Sequence, residues 1–137
     1  MAPVGGTFAG SIRQLPEWVQ LRPDAAFERI SQAGGGPGND GGWHGISPFV
    51  VPSVLWSLYA FLRSPDDYWQ TICTAIAVGG DVDTTAAMAG AISGARVGLT
   101  GLPDRLAPML NDQGKWGYEA LIALADAAVD SGLSPAP

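Results

Sequence analysis

The sequence predicts an all-α fold, on three observations. Apolar residues recur at three- and four-residue steps in several separate segments, Pro and acidic residues stand at the starts of those segments, and nowhere do apolar and polar residues alternate as in a half-buried strand. With 137 residues, 47% apolar residues and five tryptophans, the chain has the material for one domain over 1–137 with a substantial core.

Residues 1–15 show no sustained period and are read as a loose lead-in. The first helix is expected over 23–33, where Pro23 suits a first turn, Asp24 and Glu28 favour the N-terminal half, and Phe27 and Ile30 lie three apart. Residues 34–45, GGGPGNDGGWHG, are too glycine-rich for a helix or strand interior and are assigned to a loop. That loop has neither a P-loop pattern nor the preceding strand of a dinucleotide fingerprint. After Ser47 and Pro48, residues Val51, Val54, Leu55, Leu58, Tyr59 and Leu62 mark a strong helix with Pro52 in its early turn.

Ser64, Pro65, Asp66 and Asp67 combine an N-cap serine, a first-turn proline and two acids at the positive end of the next helix dipole. That helix carries Tyr68, Ile72, Ala75 and Ile76 and stops at Gly79 and Gly80. The next begins within 81–84, and Ala86, Gly90, Gly94 and Gly98 leave one of its faces bare enough for another backbone to approach. A short helix from Leu102–Asp104 to about Leu110, a turn over 111–117 and an amphipathic helix over 118–129 complete the reading.

Charge limits the partners. A net charge of −6, with only seven scattered Lys and Arg, disfavours nucleic-acid backbones and anionic membranes and suits a divalent cation. The single Cys73 has no intrachain disulfide partner and fits a helix interior. The first residues lack the basic start and apolar run of a secretory signal, and no window reaches the ~18 apolar residues of a membrane span, so a cytoplasmic location is expected.

The chemistry concentrates in GGDVDTT, residues 79–85, where a glycine pair meets a helix start. Asp81, Asp83 and Thr84 are all suited to capping the helix, because their oxygens accept from unpaired N–H groups. They are equally the hard oxygen donors that Mg²⁺ or Mn²⁺ prefers, and the Asp-x-Asp spacing lets both carboxylates face one ion.

The longer stretch GGDVDTTAAMAGAISGARVG resembles the metal-binding signature of the ADP-ribosylglycohydrolase family, which includes dinitrogenase reductase-activating glycohydrolases and ADP-ribosyl-acceptor hydrolases. GISPFVVPSVLWSLYAFLRSPDDYWQTICTAIAVGG before it and GLPDRL after it are similar to the family's flanking segments, so residues 40–110 carry the likeness and the flanks only loosely. The resemblance implies an all-α hydrolase with two Mg²⁺ or Mn²⁺ ions that removes ADP-ribose from a modified side chain or related substrate. It implies that Asp81, Asp83 and Thr84 are metal ligands, that Asp81 and Asp83 serve the reaction, and that Gly45, Ile46 and Ser47 line the ADP-ribose pocket. No role is implied for His44.

The family's N-terminal Thr/Ser-Asp-Asp-Thr element is missing, and Asp66–Asp67 matches an inter-helix turn instead. The resemblance therefore points to a C-terminal half: a truncation, one piece of a split enzyme joined by an N-terminal partner, or a degenerate paralogue. A non-catalytic helical module that pairs with itself or a partner is the competing expectation.

Overall fold

The spacing of VVPSVLWSLYAFLR brings Leu55, Trp56, Tyr59 and Ala60 to the buried side of one helix, around which the neighbouring helices pack. A computed structural model describes residues 8–33 and 44–132. In chain order its helices are α1 (Phe8–Trp18), α2 (Pro23–Gln32), α3 (Val50–Arg63), α4 (Tyr68–Ile76), α5 (Val82–Val97) and α6 (Tyr118–Asp130). Two 3₁₀ turns, Leu99–Gly101 and Ala107–Met109, and a minimal hairpin of β1 (Asn111–Asp112) and β2 (Trp116–Gly117) lie between α5 and α6. The all-α expectation is met, since the hairpin has only two residues in each strand. The chain divides into two compact units, Met1–Gly101 and Leu102–Pro137.

In the first unit α3 is the spine, contacting α1, α2, α4 and α5. One side of it packs into a cluster of Leu15, Trp18, Ala26, Ile30 and Ile46. Trp56 stacks on Tyr59 with ring centroids 4.9 Å apart, and Phe27 meets Trp56 edge-on at 6.4 Å. Both rings are fully buried, so their polar atoms need partners. Trp56 Nε1 donates to the Ala75 carbonyl at 2.8 Å, and Tyr59 Oη donates to the Leu21 carbonyl at 2.9 Å. Burial raises the Tyr59 pKa above 10.0, with the Arg63 guanidinium acting in the opposite direction. Arg63 Nη1 also donates to Leu21 O at 2.7 Å, which gives that carbonyl two donors. A second cluster is built from small side chains, Ala60, Ala75 and Ala89, where α3, α4 and α5 meet.

Several expectations change. Residues 8–15, expected to be a loose lead-in, form most of α1, whose Ser11, Leu15 and Trp18 are buried at helical spacing. The loop assigned to 34–45 lies mostly outside the described residues, which resume at His44. The N-cap of α4 is Asp67, not Ser64: its carboxylate accepts from Gln70 N–H at 2.9 Å, while Ser64 closes α3 and its carbonyl accepts the Thr71 hydroxyl at 3.0 Å. Asp66 holds Arg96 of α5 through Nε at 3.1 Å and Nη2 at 2.9 Å. Both partners are exposed, so that pair contributes at most about 1 kcal/mol.

The bare face of α5 receives side chains rather than a backbone. A Cβ at Gly90 would lie 3.2 Å from both Tyr68 Oη and Ile72 Cδ1, and one at Gly94 would lie 3.8 Å from Tyr68 Cε2. The expected helix over 102–110 is replaced by turns and the 3₁₀ segment Ala107–Met109, because Pro103 and Pro108 remove backbone donors there. In the second unit α6 follows the hairpin and has no buried residue.

Two conservative substitutions separate packing from hydrogen bonding at the α3 spine. Trp56→Phe strips the Ala75 carbonyl of its short donor and leaves a void, and is expected to cost about 2–4 kcal/mol in urea unfolding. Tyr59→Phe leaves the Leu21 carbonyl bound by Arg63 and is expected to cost about 1 kcal/mol. Equal costs would contradict this account.

Candidate functional site at the acidic turn

The turn that carries the acids is built by backbone. Gly45, Gly79 and Gly80 have φ of +94°, +72° and +89°, a region closed to most side chains. Ile46 pairs with Gly80 in a short parallel bridge, its N–H donating to Gly79 O at 3.1 Å and its carbonyl accepting from Asp81 N–H at 2.8 Å. A Cβ on Gly80 would collide with the Ile46 carbonyl oxygen, and one on Gly45 with the Gly79 carbonyl carbon. Gly45 and Gly80 are therefore required both by φ and by the closeness of the two strands of backbone, and Gly79 by φ alone.

Of the three residues expected to line a pocket, Ile46 is fully buried and its side chain belongs to the core cluster. Gly45 is half-buried. Ser47 is buried, and its carbonyl accepts from Ser53 Oγ at 2.9 Å. The visible task of this segment is to anchor the acidic turn to α3. That task was not legible in the sequence, because the bridge that performs it is made by backbone.

Asp81 occupies the N-cap position of α5, yet its side chain makes no capping hydrogen bond. Interaction with the Asp81 side chain is the main cause holding the Asp83 pKa below 3.8; backbone N–H groups of Thr84 and Asp83 lower it further. Asp83 and Thr84 are exposed and Asp81 is half-buried.

This donor set fits a hard divalent ion in type, with two carboxylates and a hydroxyl at one helix end, and is incomplete in number, since such an ion takes about six oxygens. Among the described residues no group of three His, Cys, Asp or Glu is placed to hold a metal. His44 is exposed. No helix of the described residues is long and apolar enough to cross a membrane.

The sequence profile of the ADP-ribosylglycohydrolase family matches residues 3–135. The chain belongs to the ADP-ribosylglycohydrolase family. Among curated proteins it is similar to ADP-ribosylhydrolase ARH3 of Bos taurus, with 36% identity over 128 residues, covering 86% of this chain and 31% of that protein. The chain thus spans about a third of the length of the curated relative it matches. No solved structure gives a significant match.

The extent of the family match corrects the expectation of a likeness confined to a C-terminal half with loose flanks, because it covers nearly the whole chain. The segments before 40 and after 110 form α1, α2 and α6, which carry helical spacing without a quotable motif. A reading anchored on GGDVDTT undervalues such segments.

Two measurements check the turn. Gly80→Ala is expected to lower stability by about 2 kcal/mol or more, from strain and backbone collision, whereas Gly94→Ala, with only a 3.8 Å contact, is expected to change it by less than about 1 kcal/mol. In a ¹³C-carboxyl NMR titration Asp83 is expected below 3.8, and Asp81→Ala is expected to move it upward. Since the folded value lies below the unfolded one, the Asp83 contribution to stability is fully present above about pH 4 and is lost as pH falls through the folded value. An unmoved midpoint in Asp81→Ala would exclude the carboxyl pair.

Proposed function

We propose that this chain contributes the acidic turn of a metal-dependent hydrolase that removes ADP-ribose from a modified side chain or related ADP-ribosyl substrate, by hydrolysis of an N- or O-glycosidic bond. The observation that carries the reading is the pair of Asp81, whose side chain makes no capping hydrogen bond, and Asp83, at the end of a turn within the family-matched segment. Asp81, Asp83 and the Thr84 hydroxyl are the residues that hold Mg²⁺ or Mn²⁺, one or two ions, with water and further oxygen donors completing the shell. Bound there, the ion supplies positive charge that orients ribose hydroxyls and makes a water more acidic.

The chain's own part follows from its geometry. Asp83 projects from the first turn of α5 into solvent, where it can accept a proton from a water approaching the anomeric carbon. Asp81, half-buried and fixed at both ends of its backbone, presents its carboxylate beside that of Asp83. The half-buried backbone at Gly45 gives the adjoining wall for the ADP-ribose, with Ile46 anchoring it from beneath.

Calorimetric titration with MnCl₂ and MgCl₂ tests the metal assignment, and release of free ADP-ribose from an ADP-ribosylated peptide tests the reaction. The wild-type chain is expected to bind Mn²⁺, and Asp83→Ala is expected to weaken binding at least tenfold. Absence of both Mn²⁺ binding and ADP-ribose release at millimolar metal would sink the reading.

A further inference from the structure

Beneath the acidic turn runs a series of buried hydroxyls. Thr85, Ser57 and Ser53 are at most 2% exposed, in a region where an all-apolar contact between α3 and α5 would also pack. A buried hydroxyl costs stability unless it is hydrogen-bonded, and each of these is. Ser53 Oγ donates to Ser47 O at 2.9 Å. Ser57 Oγ donates to Ser53 O at 2.8 Å and lies 3.2 Å from Thr85 O. Thr85 Oγ1 donates to Asp81 O at 3.0 Å, with the carbonyls of Val82 and Ala75 more distant at 3.4 Å.

The series joins the segment at Ser47 to the acidic turn through α3, independently of the Ile46–Gly80 bridge. Its end point matters most. Asp81 has non-helical angles, φ −78° and ψ 63°, so α5 does not itself impose its conformation. Its N–H is held by Ile46 O at 2.8 Å, and its carbonyl accepts both Thr85 N–H at 3.1 Å and Thr85 Oγ1 at 3.0 Å. With both peptide groups fixed, the Asp81 carboxyl retains only its side-chain torsions, about a point two residues before Asp83.

We propose that Thr85, supported by Ser57, is a positioning residue whose hydroxyl locks the Asp81 backbone so that the Asp81 and Asp83 carboxyls converge on one ligand. The role of that convergence in metal binding rests on the proposed function; the locking of Asp81 does not.

The test compares wild type, Thr85→Val, which keeps the branched shape without the donor, and Thr85→Ser, which restores the donor. Amide hydrogen exchange at Asp81 is expected to accelerate at least tenfold in Thr85→Val, with core amides at Leu55 and Tyr59 unchanged, and to return to within about twofold of wild type in Thr85→Ser. Mn²⁺ affinity, by calorimetry, is expected to fall at least fivefold in Thr85→Val and to recover in Thr85→Ser. Unchanged Asp81 exchange in Thr85→Val, or no recovery in Thr85→Ser, overturns the inference. Should Thr85→Val lose core protection as well, Ser57→Ala decides: at least threefold faster exchange at Asp81 with an intact core supports the inference, and unchanged exchange overturns it. A wild-type chain that binds no Mn²⁺ defeats the proposed function instead, and the exchange data then decide the positioning role alone.

Discussion

Ile46 gives its N–H to Gly79 and takes the N–H of Asp81, and the acidic turn depends on that pair of hydrogen bonds. Without them two positive-φ glycines would leave the chain between α4 and α5 free to sample many directions, since glycine loses the most conformational freedom on folding. The fully buried Ile46 side chain converts core packing into fixed backbone at the surface. Apolar burial, which has no direction of its own, is thereby used to aim polar groups.

The spine helix α3 serves the same end. Trp56 fills the core on one side and reaches the last turn of α4 through its indole N–H, close to where Thr85 approaches the same Ala75 carbonyl. Three helices therefore meet near one carbonyl oxygen, and the small cluster of Ala60, Ala75 and Ala89 lets them come close enough to do so. Larger residues there would force the helices apart and carry the start of α5 with them.

Much of this was legible in the sequence, for identifiable reasons. The helices α2, α3, α5 and α6 announce themselves through apolar spacing and punctuation by Pro and Gly. Helix α1 was missed because its buried positions are Ser11, Leu15 and Trp18, and a serine at the start breaks the apolar signal. The cap of α4 was misplaced because Ser64 and Asp67 are both good caps, and it is the Asp67 carboxylate that reaches Gln70 N–H while Ser64 closes α3. At the site, residue type exposed Asp81, Asp83 and Thr84, but a backbone bridge such as Ile46–Gly80 leaves no side-chain signature, and Thr85 reads as one more helix residue until its partner carbonyl is located.

The exposure of Asp83 has a consequence for selectivity. An exposed carboxylate can be approached by partners of many shapes and cannot by itself distinguish among them. On the proposed function, discrimination between one modified molecule and another falls to the surfaces surrounding the turn. One rigid, chemically generic element can then serve many recognition problems.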